Sequence, residues 1–199
     1  AVRSFTSQYL EELGADIVLG NTYHLMLRPG EELIKKFKGL HGFSNWHRLI
    51  LTDSGGYQVF SLEPDVDDDG VTFKSTYDGS LHRLTPEKAV EIQNALGSDI
   101  QMALDVCPPL PADKEIIELA VERTNSWALR ARKHFLKTSY DSPNQHAQFG
   151  IAQGGLDLNL RKKSAEQIVE IGFDGYAIGG LSVGETREEM LDPMKESVK

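Results

Sequence analysis

Short apolar segments recur along this chain, and each ends on a polar residue or a glycine turn. In the clearest of them, the aliphatic residues 49–51 lead through Thr52 to Asp53 and then into a Ser-Gly-Gly sequence. Such a run is typical of a strand buried on both faces. Two glycines directly after it allow a sharp turn and a close approach by another group. Asp53 is therefore expected at the rim of a rigid strand, although a carboxylate there can also simply cap the following helical turn.

Four further segments follow the same pattern. Asn21 follows the first of them, Asp105 ends the second, Gln153 ends the third, and Gly179 and Gly180 end the fourth. The corresponding strands are predicted at residues 16–20, 99–105, 147–153 and 174–180. Because barrels and open α/β sheets gather their chemistry at the carboxyl ends of strands, the five ends together predict one composite site.

Helical segments alternate with the strands. They are predicted at residues 6–13, 29–38, 85–97, 112–137 and 156–171, and from about residue 187 onwards. This alternation without internal repeats indicates a parallel sheet. Polar strand ends favour a (β/α)8 TIM-like barrel over a doubly wound sheet, whose G-x-G-x-x-G signature is absent. Since about five strands are counted and a complete barrel typically needs ~250 residues, residues 1–199 are expected to form a single partial barrel domain of a longer protein.

An insertion at about residues 61–83 interrupts this alternation. Residues 64–70 are interpreted as a solvated acidic loop, because they lack the spacing and the terminal glutamate of an EF-hand calcium site. Residues 71–75 alternate as a strand, and Asp78-Gly79 is a hairpin turn signal before the chain returns through residues 81–83.

Two side-chain patterns are interpreted as ordinary surface and core. The basic clusters Lys35, Lys36 and Lys38, and Arg161, Lys162 and Lys163, are expected on solvated helix faces. The longest helical segment is expected to bury one side. That side would carry Ile116, Leu119, Ala120, Trp127 and Leu129.

Composition narrows the classes of function. The net charge of −9 argues against broad, unspecific binding to nucleic acid. Cys107 is the only cysteine, so no disulfide can form within the chain, and a cysteine-rich zinc site within these residues is excluded. A single thiol also fits a reducing cytoplasm. No apolar run approaches the ~18 residues of a membrane-spanning helix, so no membrane partner is expected.

Several long motifs resemble the tRNA-guanine transglycosylases of bacterial type. They are GNTYHL at 20–25, TDSGGYQV at 52–59, VTFKS at 71–75, GIAQG at 150–154, GFDGY at 172–176 and IGGLSVGE at 178–185. The resemblance covers essentially the whole chain. It implies a zinc-containing barrel that exchanges a guanine at the wobble position of a tRNA anticodon for a 7-deazaguanine base. The exchange would proceed through a covalent ribosyl-enzyme intermediate, in queuosine biosynthesis.

The residue roles implied by the resemblance agree with side-chain chemistry. Asp105 matches the carboxylate that reads the base, and one carboxylate can accept both the N1–H and the N2–H of a guanine. Gln153 and the backbone N–H of Gly180 match the donors to its O6. Tyr57 matches the aromatic ring on which the base stacks. Asp53 matches the catalytic carboxylate that handles protons on the departing and arriving bases. Such chemistry requires the target nucleotide to be turned out of the RNA stack into the pocket.

The resemblance assigns further substrate-binding positions to residues beside these. They are Asn21, Ser54, Gly55, Cys107, Gly179, Leu181 and Val183. Members that accept the larger base queuine carry glycine at the position of Val183 and differ at Cys107, so the resemblance implies the smaller base preQ1. Plainer interpretations stay open: Gln153 and Asn21 can order neighbouring loops, and Tyr57 can belong to the core.

Parts of the family pattern are expected outside this chain. The nucleophilic aspartate and the Cys/His ligands of a structural zinc ion are expected after residue 199, and a first barrel strand before Ala1. The implied partners are tRNA, guanine, preQ1 and a second copy in a homodimer, in the cytoplasm.

Three other functions remain open from sequence. A glycoside hydrolase would use Asp53 and Asp105 as paired carboxylates, although the glycine-rich, amide-lined strand ends favour a flat base over a sugar. A non-catalytic RNA-binding homologue or subunit would keep the pocket without the nucleophile. An archaeal-type transglycosylase would act elsewhere on the tRNA.

Overall fold

The central feature of the fold is a parallel five-stranded sheet. A computed structural model describes residues 4–138 and 146–199. Its strands, in chain order, are β1 (Ile17–Asn21), β2 (Leu49–Asp53), β3 (Asp65–Val66), β4 (Val71–Lys74), β5 (Leu81–Leu84), β6 (Ile100–Met102), β7 (Ala147–Ala152) and β8 (Gly175–Ile178). Strands β1, β2, β6, β7 and β8 form the sheet in that order, and every neighbouring pair is parallel.

The strand order decides between the two α/β architectures. A doubly wound sheet reverses its strand order at a switch point, whereas this sheet follows the chain order from one edge to the other. The predicted incomplete TIM-like barrel segment with a hairpin insertion is therefore confirmed. All five predicted strands are present. Strand β6 is shorter than expected, because the regular ladder stops at Met102, three residues before Asp105.

Helices separate the strands of the sheet along the chain. They are α1 (Ser7–Glu12), α2 (Thr22–Leu27), α3 (Glu31–Lys36), α4 (Gly39–Ser44), α5 (Gly56–Phe60), α6 (Pro86–Leu96), α7 (Lys114–Thr138), α8 (Leu158–Ile171) and α9 (Arg187–Glu196). The long helices agree with prediction. The short helices α2, α4 and α5 were not predicted, and α3 begins two residues after Pro29 because Gly30, at φ 99°, forms its N-cap. None of the described helices is long and apolar enough to cross a bilayer.

The buried side of α7 differs from the prediction. Ile116, Leu119 and Leu129 are exposed, while Ala120 and Trp127 are buried as expected. The buried stripe runs one residue later along the helix, at Ile117, Val121, Thr124, Ala128, Ala131 and Phe135. Helix α7 packs between α6 and α8. Apolar residues occur on both of its sides, so tertiary packing rather than the sequence pattern selects the buried one.

The insertion is attached to α7 by a hydrogen bond and by ion pairs. Strands β3, β4 and β5 form an antiparallel sheet, and Gly79, at φ 72°, forms the predicted hairpin turn. The acidic side chains of Asp67, Asp68 and Asp69 face solvent, as expected, and pair with arginines. The backbone carbonyl of Asp68, however, accepts a 2.8 Å hydrogen bond from the indole of Trp127. The acidic loop is thus part of the packed structure.

Where β2 and β6 separate, the side chain of a buried glutamine forms hydrogen bonds with the backbone in place of the neighbouring strand. The register between these strands ends at Thr52 and Gln101. Beyond it, the Gln93 side chain of α6 accepts from Met102 N at 3.1 Å and donates to Met102 O at 3.0 Å. It also accepts from the Thr52 hydroxyl at 2.8 Å. Gln93 therefore fixes the path of the chain between β6 and Asp105.

Replacing this glutamine tests its importance for the fold. Gln93→Leu in the intact protein should lower the free energy of unfolding by about 2 to 4 kcal/mol, because two buried backbone groups of Met102 lose their partner. The measurement is urea denaturation. As a control, Gln8→Leu on the exposed face of α1 should change the value by less than ~0.5 kcal/mol. Equal effects of the two substitutions would show that Gln93 is dispensable.

Candidate active site

The carboxyl ends of β2, β6, β7 and β8, with the segments that follow them, line one cavity of about 330 Å³. Eight of the predicted site residues line it: Asp53, Tyr57, Asp105, Cys107, Gly179, Gly180, Leu181 and Val183. Met102, Ile151, Ala177, Ile178 and Ser182 complete the lining. Larger clefts of about 610 and 630 Å³ lie beside Trp46 and Tyr176, but they do not gather the strand-end side chains. The other predicted residues, Asn21, Ser54, Gly55 and Gln153, lie behind the lining.

Asp105 is a buried carboxylate with an amide partner. It is 7% exposed and accepts a 2.6 Å hydrogen bond from Nε2 of Gln153 at the end of the neighbouring strand. Burial, and next the charge of Asp53, raise the pKa of Asp105 to about 7, against the lowering effect of hydrogen bonds from Gln153 and Ser54. A carboxyl group in this state can change protonation near neutral pH.

Asp53 lies beside Asp105 and is oriented by Asn21. The Asn21 amide donates to Oδ2 of Asp53 at 3.1 Å and to Oε1 of Gln58 at 2.9 Å. Its oxygen accepts from the backbone N–H of His24 and so caps α2. Burial raises the pKa of Asp53, while the backbone N–H groups of Ser54 and Gly55 act in the opposite direction. In this structure Asn21 thus contacts the carboxylate and not the cavity.

The Ser-Gly-Gly turn is shaped by close packing behind the cavity. A Cβ atom on Gly55 would lie 2.6 Å from Cβ of Tyr23, and one on Gly56 would lie 2.5 Å from Oδ1 of Asp105. Ser54 is fully buried and accepts a hydrogen bond from Gly56 N. The two glycines therefore allow Tyr23 of α2 and Asp105 to approach the turn closely. Tyr57 follows them and is 53% exposed, which argues against the interpretation that it belongs to the core.

The Gly179-Gly180 turn leaves room for the Gln153 amide. A Cβ atom on Gly180 would overlap Oε1 of Gln153, and one on Gly179 would lie 2.6 Å from its Nε2. The two glycines after β8 are thus required by the amide–carboxylate pair formed at the ends of β6 and β7. Larger side chains here would displace Gln153 from Asp105.

The loop beyond this turn is fixed by its own backbone contacts. The carbonyl of Val183 accepts a 3.0 Å hydrogen bond from Leu110 N. Glu185 accepts from the backbone N–H groups of Ser182 and Val183. Gly184 packs so tightly that a Cβ atom there would overlap the Leu110 carbonyl. The sequence pattern indicated no role for Glu185, although this residue ends the IGGLSVGE motif at 178–185.

Arg161 corrects the interpretation of the second basic cluster. Lys162 and Lys163 are exposed as expected, but Arg161 is fully buried behind Gly180. Burial lowers its pKa to about 10, so the guanidinium remains charged at neutral pH. The available sequence signal was the spacing of Arg161, Ser164 and Ile168, which places them on the buried side of α8.

Cys107 is a buried wall of the cavity rather than a reactive thiol. Burial, and next the charge of Asp105, raise the pKa of its thiol to about 12. It therefore stays protonated and unreactive as a nucleophile at neutral pH.

Comparison with known proteins establishes the family. A family model described as queuine tRNA-ribosyltransferase matches residues 1–199. The chain belongs to this family, and the predicted resemblance is confirmed.

Bacterial relatives named queuine tRNA-ribosyltransferase are similar along the whole chain. The protein of Thermotoga neapolitana is 55% identical over 199 residues, which cover 100% of this chain and 52% of the relative. That of Bacillus licheniformis is 51% identical over 191 residues, covering 95% and 49%. That of Acetivibrio thermocellus is 50% identical over 199 residues, covering 99% and 52%. The chain spans about half the length of these curated relatives.

The raised pKa of Asp105 predicts a pH-dependent stability. Above pH 7 the folded protein carries a buried charge that costs free energy. This cost decreases as the pH falls from about 7, the pKa of Asp105 in the folded state, toward its ordinary value of 3.8. Asp105→Asn should therefore stabilise the full-length protein at pH 8.5 by up to about 4 kcal/mol, and much less at pH 5. Urea denaturation at both pH values measures this. Asp16→Asn, at an exposed site, is the control, and an equal gain from Asp105→Asn at both pH values would contradict the assignment.

Proposed function

We propose that the full-length protein replaces guanine at the wobble position of a tRNA anticodon with preQ1, through a covalent ribosyl-enzyme intermediate. The observation that carries this proposal is the buried Asp105–Gln153 pair beside the Gly179-Gly180 turn. It offers acceptors and donors for one edge of a flat heterocycle. Family membership and the relatives' names support the same activity.

Base recognition is assigned to groups that line the cavity and to Gln153 directly behind the lining. The Asp105 carboxylate would accept N1–H and N2–H of the base, which favours its ionised form. The Gln153 amide and the Gly180 backbone N–H would donate to O6. The half-exposed ring of Tyr57 supplies a stacking surface, a contact worth roughly 1 to 3 kcal/mol per base. Membership of the queuine tRNA-ribosyltransferase family argues against the glycoside hydrolase alternative.

Asp53 is assigned the proton transfers. Its burial raises its affinity for a proton, and Asn21 fixes one of its oxygens. It lies next to the base-reading carboxylate but is not needed to read the base edge. It can therefore return a proton to the departing guanine and take one from the arriving base.

The nucleophile and the metal belong to other parts of the proposal. We assign the attack on the ribose C1′ to an aspartate in the half of the relatives' length that this chain does not span. Among residues 4–138 and 146–199, no group of three or more His, Cys, Asp or Glu side chains is arranged to hold a metal ion. The implied structural zinc has no part in the steps above. Homodimer formation and a cytoplasmic location complete the proposal.

A substitution at Asp53 separates catalysis from base binding. Asp53→Asn in the full-length enzyme should slow single-turnover incorporation of labelled guanine into tRNA by about 10²- to 10⁴-fold, because proton transfer is lost. Affinities for tRNA and for free guanine should change little. Asp16→Asn, far from the cavity, is the control. A native rate with Asp53→Asn would remove this residue from the chemistry.

Val183 tests which base the cavity accepts. Its side chain lines the cavity, where its two methyl groups would collide with the cyclopentenediol ring of queuine but leave space for the aminomethyl group of preQ1. Val183→Gly should therefore admit queuine while preQ1 still binds. Competition of each free base against guanine exchange measures this in both proteins. Tight binding of queuine by the native enzyme would contradict the volume argument.

A further inference from the structure

Arg161 is the feature of the site that the proposed function leaves unexplained. Its side chain is fully buried in the first turn of α8. In the described part of the chain, no carboxylate forms an ion pair with it within 4.0 Å. The charge of Glu185 acts on it from a longer distance. A buried guanidinium without a contacting carboxylate must satisfy its N–H groups with other acceptors, and the acceptors it binds indicate its role.

The guanidinium connects the two turns that border the cavity. Nε donates to Gly155 O at 2.8 Å, and Nη1 donates to Ala152 O at 3.2 Å. These two carbonyls flank the Gln153-Gly154 turn after β7. Nη1 also donates to Gly179 O at 2.6 Å, and Nη2 to Gly180 O at 2.9 Å. One side chain thus fixes the backbone on both sides of the Gln153 amide and the Gly180 N–H, the two groups that the proposed function assigns to O6 of the base.

Ser164 supports the same turn from the same side of α8. Its hydroxyl is fully buried and accepts a 2.9 Å hydrogen bond from Gln153 N. Gly154 brings α8 close enough for these contacts, because a Cβ atom there would lie 2.6 Å from Arg161 N. Arg161 and Ser164 together hold both the backbone of Gln153 and the turn opposite its side chain.

We propose that Arg161, assisted by Ser164, is a positioning residue that sets the oxygen-reading side of the base cavity. The inference rests on the proposed function. In this inference Asp105 recognises N1–H and N2–H of the base. The buried guanidinium fixes the direction in which the Gln153 amide and the Gly180 backbone N–H point toward O6. A lysine at 161 would keep the charge, but its single ammonium cannot hold both turns in the fork geometry of arginine.

The test compares two bases that differ only at the six-position. Guanine and 6-thioguanine share N1–H and N2–H, but sulfur is the weaker acceptor. Each is measured as a competitor of guanine exchange in the full-length enzyme. The native enzyme should prefer guanine by roughly tenfold, the effect of one hydrogen bond. In Arg161→Lys the preference should fall close to one, and in Ser164→Ala it should fall in the same direction by less.

Arg132→Lys is the matched control. Arg132 is also a buried arginine, but it pairs with Asp174 at the opposite end of β7 and β8, at 2.8 Å. This variant should lose stability and keep the native preference, which separates positioning from a general effect on folding. If Arg161→Lys does not fold, Ser164→Ala decides the question.

The outcomes for the two proposals can be told apart. Failure of the native enzyme to exchange guanine would overturn the proposed function and this inference with it. Native exchange with no preference for guanine over 6-thioguanine, or with an unchanged preference in both α8 variants, would overturn the inference alone.

Discussion

The hydrogen bond from the Gln153 amide to the Asp105 carboxylate joins the segments that follow two neighbouring strands, and much of the surrounding structure depends on it. Gly56 leaves space on the Asp105 side, while Gly179 and Gly180 leave space around Gln153. At Gly56 and Gly180 a polar side-chain oxygen occupies the volume that a side chain would fill, and at Gly179 the Gln153 amide and a methyl group of Ile151 occupy it. The arrangement lowers the stability of the fold, because burial makes the ionised form of Asp105 unfavourable and raises its pKa to about 7. Such costs are typical of sites kept for ligand binding.

The two carboxylates of the cavity differ in their surroundings and therefore in what they can do. Asp105 is enclosed and directed at an amide, which suits recognition of adjacent N–H donors. Asp53 is oriented by Asn21 and contacts the backbone of its own turn, which suits exchange of a proton. Each charge raises the cost of ionising the other, so a neutral ligand that donates to Asp105 relieves the pair. An anionic ligand would not gain this advantage.

The sequence predicted the strands and their ends well because a buried parallel strand has a simple signature. Apolar runs ending on Asp53, Asp105 and Gln153 were sufficient to place one composite site. The pattern did not reveal Arg161, because the adjacent Lys162 and Lys163 made a solvated cluster the simpler interpretation. Nor did it select the buried side of α7, which depends on α6 and α8. Short helices such as α2 were missed because their stability comes from capping by Asn21 and from packing, not from a long apolar period.

The fixed path of the Val183 loop has a consequence for how such a protein can change over evolutionary time. Leu110, Glu185 and the tightly packed Gly184 hold the backbone whatever side chain stands at position 183. The size of that side chain can therefore change by a single codon substitution without moving Asp105, Gln153 or Gly180, the groups to which the proposed function assigns the base edge. If the proposed function holds, substrate range and base recognition are separable inherited traits in this architecture, and a lineage can acquire a larger substrate without passing through a non-functional ancestor.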